Sequence, residues 1–304
     1  MSNLTKYNFP PLDVFLKYNN SEITNFCNQN NISTCYLPID GTRRYFLLIT
    51  DFLNEWSETN FQKYFQVVNS KFRDLLTVLF DFGLKNIIFL LMDKSAFSRG
   101  KNYLAKTVEY GIQPLYKDDN YLNLYKEYNI NVYFSGFTSI YTDYYSEEEL
   151  TTIKTNFDNL KINNSKRNLI IYNGLSPSED YLLLEKLGHK LRLQNIEITK
   201  ENLVQSIYGT PISSIDFSIW YGYPRDKIIP PLLWEDGPRF FTKNPTLSLN
   251  NAQIKKTIYY SALTKKSYKD NYFSHSFSKI EKQEKQIEIL TEESVLGQDY
   301  YYLS

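Results

Sequence analysis

Residues 33–44 read STCYLPIDGTRR, and this stretch decides the class of fold. Its apolar, β-prone first half predicts a short buried strand that ends at a turn signal, Asp40-Gly41. A glycine allows the backbone to approach a ligand closely, and the guanidinium groups of Arg43 and Arg44 can grip a diphosphate through forked, charge-assisted hydrogen bonds. The carboxylate of Asp40 can hold Mg²⁺ or orient a leaving group. On these residues alone, a solvated turn with two surface arginines is an equal alternative.

The rest of the chain alternates between helical and strand patterns. Residues 57–82 carry apolar side chains at steps of three and four and predict a long helix, which ends at Gly83. Residues 86–92 (NIIFLLM) form an apolar run short enough to be a strand buried on both faces. Further strands are predicted at residues 130–134, 168–172, 216–220, 232–233 and 239–242, and further helices at residues 102–110, 120–128, 147–160, 179–191, 200–208 and 252–263.

This alternation predicts an α/β fold, with a mostly parallel central sheet of about six strands flanked by helices. In such a sheet, ligands bind at the carboxyl ends of the strands, where the Asp-Gly turn would lie. We expect residues 1–273 to form a single catalytic domain. Residues 274–304 are rich in Lys, Glu and Gln and are predicted to form a charged tail that is helical or disordered.

Composition argues against several classes of protein. Lys and Arg together number 34, as do Asp and Glu, so no overall field favours nucleic acid as a partner. No apolar run approaches the roughly 18 residues of a membrane span, and no basic-then-apolar signal begins the chain, so we expect a cytoplasmic protein without a membrane span. Cys27 and Cys35 are the only cysteines and are predicted to be reduced thiols rather than a disulfide framework or a structural zinc site.

Other chemistries have little support in the sequence. His189 and His275 are the only histidines and lie far apart, which argues against a histidine-based metal site or catalytic triad. The glycine-rich nucleotide-binding motifs are absent. Asp118-Asp119 resembles a metal-binding pair but lacks the third aspartate of the signature of helical terpene synthases. We therefore favour a helix start at which these two residues act as caps.

Residues 36–46 resemble the first motif of undecaprenyl diphosphate synthases, which are members of the cis-prenyltransferase superfamily. The Asp-Gly-Thr-Arg-Arg core is the variant found in the tuberculosinol synthase type of diterpene synthase. The likeness covers roughly residues 10–265, is weak between about residues 140 and 195, and continues in chain order through residues 79–83, 98–100, 216–225 and 231–233. Agreement in order over these blocks favours the diphosphate interpretation of the first motif over its alternative.

The resemblance implies roles for individual residues. Asp40 falls on the essential aspartate of the first motif and is a candidate ligand for Mg²⁺, the implied cofactor. Tyr64 and Tyr103 fall on functional tyrosines of the tuberculosinol synthase type, and Tyr103 stands where chain-elongating synthases carry a glutamate. The positions that match diphosphate-binding residues are Gly41, Thr42, Arg43, Arg44, Arg99 and Arg225.

Residues 220–225 (WYGYPR) depart from the chain-elongating pattern. Elongating synthases carry an arginine and a glutamate here, which hold isopentenyl diphosphate and Mg²⁺. This chain has Trp220 and Tyr223 instead and keeps only the last arginine, Arg225. A site for a second diphosphate needs that charge. Trp220, Tyr221 and Tyr223 either line the pocket or pack at the end of a strand, and both interpretations stay open.

The function implied is that of a terpene synthase that ionises a prenyl diphosphate of farnesyl to geranylgeranyl length (C15–C20), either linear or already cyclised. Diphosphate would be released, and water or a nucleoside would serve as acceptor, giving a terpene alcohol, a hydrocarbon or a nucleophile adduct. A homodimer is also implied by the resemblance. The alternatives are a chain-elongating transferase that uses isopentenyl diphosphate and a non-catalytic partner subunit. The missing arginine and glutamate argue against the first, and the retained Asp40, Arg43 and Arg44 argue against the second.

Overall fold

A parallel seven-stranded sheet forms the centre of the protein. The computed structural model describes residues 9–50, 58–92, 96, 98–135, 146–162, 164–173, 177–222, 230–233, 237–269 and 300–303. The strands are β1 (Thr34–Pro38), β2 (Asn86–Met92), β3 (Ile130–Ser135), β4 (Arg167–Asn173), β5 (Phe217–Tyr221), β6 (Arg239–Thr242) and β7 (Tyr300–Leu303). Their order is β3-β4-β2-β1-β5-β6-β7, and every pairing among the described strands is parallel.

Helices cover both faces of this sheet. They are α1 (Leu12–Phe15), α2 (Asn20–Gln29), α3 (Thr42–Ile49), α4 (Glu58–Asp81), α5 (Lys101–Lys106), α6 (Pro114–Lys117), α7 (Asp119–Tyr128), α8 (Glu147–Asp158), α9 (Pro177–Leu193), α10 (Lys200–Tyr208) and α11 (Asn251–Lys269). A π-helical turn, Thr107–Ile112, continues α5, and a 3₁₀ turn, Thr246–Ser248, precedes α11. Within the described part of the chain, no helix has the length and apolar character needed to span a bilayer.

The predicted α/β fold is confirmed, with six of the strands where the sequence placed them. The bounds of β2, β6 and α10 agree with the prediction to the residue. The short strand predicted at residues 232–233 is wrong, because Leu232 lies in a turn with φ of 64°. A strand that was not predicted, β7, pairs with the outer side of β6. Its residues belong to the predicted tail, of which residues 274–299 and 304 lie outside the described structure, and the division into domain and tail stays a prediction.

Two core clusters lie on opposite faces of the sheet, since successive side chains of a strand point to opposite sides. On β2, for example, Ile87 and Phe89 belong to the larger cluster, whereas Ile88 and Leu90 belong to the smaller one. Burial of both faces explains why the strands read as continuous apolar runs. The predicted cap of α7 is confirmed, because the backbone N–H of Asn120 donates to the Asp118 carboxylate at 2.8 Å.

An ion pair and two backbone hydrogen bonds, together called the anchor, connect chain segments at the amino edge of the sheet, where β1 and β5 begin. The carboxylate of Asp216, with 4% of the residue exposed, accepts hydrogen bonds from the backbone N–H groups of Ser33 (2.5 Å) and Thr34 (2.8 Å). It also pairs with the ammonium group of Lys265 on α11. The anchor therefore ties the starts of β1 and β5 to the last described helix before the tail.

Both cysteines are buried and free, as predicted. Burial, with a smaller contribution from the charge of Asp216, raises the pKa of the Cys27 thiol to about 12. The same two causes raise the pKa of Cys35. Since only the thiolate is a good nucleophile, these side chains act as packing groups.

Candidate active site

The Asp40-Gly41 turn lies at the carboxyl end of β1, between the neighbouring strands β2 and β5. The strand order reverses here, and parallel α/β sheets bind ligands at such a point. Gly41 has φ of 74°, and a Cβ atom added to it would lie 2.9 Å from the ring of Tyr221. The backbone conformation and the close contact both require glycine. The N–H of Gly41 donates to the carboxylate of Asp40 at 2.7 Å, and Asp40 itself is exposed.

Helix α3 begins directly after this turn and presents its amino end to the carboxyl edge of the sheet. Gly41 occupies the N-cap position and has no side chain that could cap the first N–H groups. The first turn carries no acidic residue but two exposed arginines, Arg43 and Arg44. Cations at a helix amino end oppose the helix dipole and cost stability. The arrangement suits an anion, which both the dipole and the guanidinium groups would attract.

Arg44 and Tyr221 pack against each other at this edge. The guanidinium carbon of Arg44 lies 5.3 Å from the centre of the Tyr221 ring, within the range of a cation–π contact. Tyr221 is the last residue of β5, and its ring also contacts the Gly41 turn. The structure thus brings together three of the predicted residues: Gly41, Arg44 and Tyr221.

Tyr64, on helix α4, contacts the start of α3 through Thr42. Its hydroxyl lies 2.5 Å from the hydroxyl of Thr42, and only 4% of the residue is exposed. Burial raises the pKa of Tyr64 to about 12, although the hydrogen bond with Thr42 and the nearby charges of Arg43 and Arg99 oppose this rise. Tyr64 is therefore a neutral hydroxyl near neutral pH, close to both guanidinium groups.

Arg99 and Tyr103 form the third part of the site, in the segment that follows β2. Nη1 of Arg99 donates to the hydroxyl of Tyr103 at 2.6 Å, and the guanidinium carbon lies 4.8 Å from the ring centre. Arg99 is exposed and precedes Gly100, whose φ of 88° turns the chain into α5. The charge of Arg99 lowers the pKa of Tyr64 and the Tyr103 phenol raises it, so both groups lie within electrostatic range of Tyr64.

An aromatic cluster joins these tyrosines. The ring of Phe61 lies 6.5 Å from that of Tyr64 and 5.8 Å from that of Tyr103, edge-on to each. Phe46 of α3 lies 5.6 Å from Tyr64 on another side, again edge-on. Neither Phe61 nor Phe46 was predicted as a site residue. The spacing of Phe61, three positions before Tyr64 on one helix, is a signal that would have identified it.

Trp220 lies apart from this aromatic cluster. It belongs to the smaller core cluster, where its ring packs against those of Tyr36 (5.5 Å) and Phe241 (6.4 Å). Its indole N–H donates to the hydroxyl of Ser218 at 2.5 Å. This placement corresponds to the strand-packing interpretation that the sequence left open. Tyr223 and Arg225 lie outside the described residues.

Asp40 is the candidate ligand for Mg²⁺. No group of three or more His, Cys, Asp or Glu side chains that could hold a metal ion occurs among the residues that the structure describes. Mg²⁺ commonly binds through one or two carboxylates together with phosphate oxygens of the substrate, so a complete protein cage is not needed. An exposed carboxylate next to a cationic helix start fits that mode of binding.

The chain is similar to known prenyl diphosphate enzymes, although no family model matches it. It is 22% identical over 238 residues to the tuberculosinyl adenosine transferase of Mycobacterium tuberculosis (strain CDC 1551 / Oshkosh), over 73% of this chain and 72% of the relative. The structure of lavandulyl diphosphate synthase from Lavandula x intermedia, in complex with dimethylallyl diphosphate, matches with a TM-score of 0.59 at 15% identity, over 76% of this chain and 94% of that one. A probable undecaprenyl diphosphate synthase from Campylobacter jejuni matches with a TM-score of 0.52 at 14% identity, over 76% and 95%.

Proposed function

The chain has the cis-prenyltransferase fold, as its motifs predicted, and on that premise we propose that it is a terpene synthase that ionises a prenyl diphosphate. The substrate would have farnesyl to geranylgeranyl length, linear or already cyclised. The products would be diphosphate and a terpene alcohol, a hydrocarbon or an adduct with a nucleophile such as a nucleoside. Two comparisons support this substrate class: the curated relative is a tuberculosinyl adenosine transferase, and the lavandulyl diphosphate synthase structure contains dimethylallyl diphosphate.

The observation that carries the proposal is the amino end of α3. Arg43 and Arg44 stand in its first turn, where they cost helix stability unless an anion is bound. Departure of diphosphate builds negative charge on its oxygens, and preorganised donors aimed at developing charge are commonly the largest contribution to catalysis. Arg99 adds a third guanidinium group from the segment after β2. Helix N–H groups and three cations would thus stabilise the leaving group.

Helix α3 also matches a substrate that has a charged head and an apolar tail. Its carboxyl end exposes three consecutive aliphatic side chains, and the exposed fraction of Leu48 reaches 71%. The aliphatic residues follow the arginines by three to six positions, so this apolar end lies about 5–9 Å from them along the helix axis. The three side chains are Leu47, Leu48 and Ile49.

The aromatic cluster would stabilise the carbocation that remains after ionisation. Rings of Phe61, Tyr64 and Tyr103 lie together next to the proposed diphosphate site. A cation over an aromatic face gains about 0.5–2 kcal/mol per ring. Because its pKa is raised to about 12, Tyr64 would act as a hydrogen-bond donor rather than as a base. Tyr103, hydrogen bonded to Arg99, is the better placed to guide the nucleophile.

Mg²⁺ would be held by Asp40 and would supply positive charge for the diphosphate oxygens when bound. Independently of the metal, Asp40 accepts the N–H of Gly41 and so orders the turn at the start of α3.

Chain elongation is the less favoured alternative. Its second diphosphate needs a cation where this chain has Trp220, and the single N–H donor of that side chain is hydrogen bonded to Ser218.

An assay of the purified protein tests the proposal. Geranyl, farnesyl, geranylgeranyl and bicyclic diterpenyl diphosphates are each supplied with Mg²⁺, and diphosphate release and extracted products are measured. At least one should give a terpene product, and parallel reactions with labelled isopentenyl diphosphate should leave every product unlabelled. A lengthened, labelled polyprenyl chain would restore the elongating transferase. Absence of turnover with all four substrates would favour the non-catalytic partner subunit.

A pair of aspartate variants ties turnover to the site. Asp40→Asn keeps the shape of the side chain and removes its charge, and we expect the rate to fall at least about 10²-fold. Asp158→Asn changes an exposed aspartate on α8, which forms only a local ion pair with Lys161 (2.7 Å), and should leave the rate unchanged. A folded Asp40→Asn protein that retains half the parent rate would rule out the assignment. The homodimer and the cytoplasmic location stay predictions from the sequence.

A further inference from the structure

The loop after β6 reaches back to the Asp40 turn through one threonine. Thr246 is completely buried and forms three hydrogen bonds with the chain just after β1. Its hydroxyl donates to the carbonyl oxygen of Pro38 at 3.1 Å and accepts the N–H of Asp40 at 3.4 Å. Its own N–H donates to the carbonyl oxygen of Asp40 at 3.3 Å. Thr246 therefore holds the backbone on both sides of the Asp40 side chain.

These contacts fix the backbone of a residue whose side chain is exposed at the edge of the sheet. Asp40 is exposed, and the glycine that follows it permits many backbone conformations. Pro245 packs close to the same turn, since a Cβ atom added to Gly41 would lie 3.2 Å from the Cβ atom of Pro245. The three hydrogen bonds of Thr246 therefore hold the backbone from which the Asp40 carboxylate projects, and they add to the bond that this carboxylate accepts from the N–H of Gly41.

We propose that Thr246 is a positioning residue for Asp40: its hydroxyl keeps the carboxylate in the orientation that turnover requires. The inference rests on the proposed role of Asp40 and extends it to a residue with no expected contact with the substrate. Misplacement of a group by about 1 Å can cost on the order of 10²-fold in rate. Loss of the hydroxyl should therefore reduce kcat and leave KM nearly unchanged, because α3 and its arginines still bind the diphosphate.

Three threonine variants test the inference in the full-length protein. Thr246→Val keeps the volume and removes the hydroxyl, and we expect kcat to fall at least tenfold with KM within twofold of the parent. Thr246→Ser keeps the hydroxyl and should restore kcat to within threefold. Thr257→Val is the matched control: Thr257 is also completely buried, but its hydroxyl bonds only within α11, to the carbonyl oxygen of Gln253 at 3.0 Å. It should lose stability without losing kcat.

Each outcome of these measurements either supports or refutes the positioning role of Thr246. If Thr246→Val and Thr257→Val lower kcat equally, or if Thr246→Ser is as slow as Thr246→Val, Thr246 has only a structural role and the inference is wrong. If Thr246→Val does not fold, Thr246→Ala replaces it, because the smaller side chain cannot crowd the buried position. The same fall in kcat is expected. Failure of the proposed function is distinguishable, because the parent protein would then give no terpene product from any of the four prenyl diphosphates. Loss of activity in Asp40→Asn with normal kcat in the folded Thr246 variants refutes the positioning role alone.

Discussion

Charged side chains at the two edges of the sheet have opposite surroundings. At the amino edge, the carboxylate of Asp216 is buried, paired with Lys265 and hydrogen bonded to two backbone N–H groups. At the carboxyl edge, Asp40, Arg43 and Arg44 are exposed, and the two cations stand at a helix end that disfavours them. A buried, fully partnered charge fixes the position of chain segments, whereas exposed cations at a helix start are suited to bind an anion. Changes at one edge should therefore alter stability, and changes at the other should alter chemistry.

The largest effect is expected at the carboxyl edge, from Tyr103→Phe. The change removes the hydroxyl that accepts the hydrogen bond of Arg99 and keeps the ring. If the hydroxyl directs the quenching nucleophile, the affected product branch should slow by about 10²–10⁴-fold, and the product ratio should shift at nearly constant KM. Products are compared at saturating substrate. Tyr116→Phe, at a buried tyrosine that packs on Phe157 (5.1 Å), should leave the ratio unchanged. An unaltered ratio at an unaltered rate would remove Tyr103 from the site.

The second effect belongs to the amino edge. Asp216→Ala leaves two backbone N–H groups without their acceptor and Lys265 without its carboxylate partner, although Lys265 still donates to the carbonyl oxygen of Asn31 (2.8 Å). We expect the free energy of unfolding to fall by about 3 kcal/mol or more. Denaturant titration measures it, and KM of the folded protein should stay the same. Asp74→Asn, in an exposed pair with Lys71 (3.1 Å), should change stability by less than about 1 kcal/mol. A change in KM in Asp216→Ala would mean that the two edges are coupled.

Removal of either cation from α3 should weaken diphosphate binding, and removal of Arg43 should also raise stability. Arg43→Gln and Arg44→Gln should each weaken binding of inorganic diphosphate, measured by calorimetry, by about 10–100-fold, since a hydrogen bond to a charged group contributes about 1.5–3 kcal/mol. Arg43→Gln should gain about 0.3–1 kcal/mol of stability, because a cation no longer opposes the helix dipole. In Arg44→Gln, loss of the cation–π contact with Tyr221 offsets that gain. Arg192→Gln, at an exposed position on α9, should do neither. Weaker binding accompanied by lower stability in Arg43→Gln would contradict this account of the helix start.

The smallest effect concerns Tyr64 in alkaline solution. Burial raises its pKa to about 12 from an ordinary value near 10, so the folded protein holds this proton at a pH where the unfolded chain has lost it. Its contribution to stability is fully present below pH 10 and is lost as pH rises from about 10 to about 12. Between pH 9 and 11 the parent should lose about 1.4 kcal/mol more than Tyr64→Phe. Equal losses in the two proteins would show that Tyr64 ionises normally.

The parts of the fold that depend on local pattern were predictable from sequence. Strand β2 and helix α4 lie within one residue of their predicted bounds. A strand buried on both faces reads as a continuous apolar run, whereas a helix buried on one face has apolar residues at steps of three and four. The Asp40 turn was proposed as a diphosphate site from its local sequence, whereas Arg99 and Tyr103 were assigned through the resemblance; the structure places these two side chains in contact.

The contacts that were missed join residues far apart in the chain. Thr246 bonds to a residue 206 positions earlier, and nothing in its neighbourhood indicates a partner. The packing of Trp220 against Tyr36 and Phe241 depends on which face of β5 is covered, which the order of residues in one strand cannot tell when both faces are buried. Strand β7 pairs only with the edge of β6, and a short segment of this kind has no pattern of its own.

These distant contacts also bear on the order of events during folding. The bonds of Asp216 to Ser33 and Thr34 span 183 and 182 residues, and the bond of Thr246 to Pro38 spans 208. Contacts of such sequence separation close large loops and slow folding. Since Asp40 acquires its two hydrogen bonds to Thr246 only when the outer half of the sheet has docked beside β1, a refolding protein should regain its helices well before it regains turnover. Recovery of activity would then mark the final step of assembly.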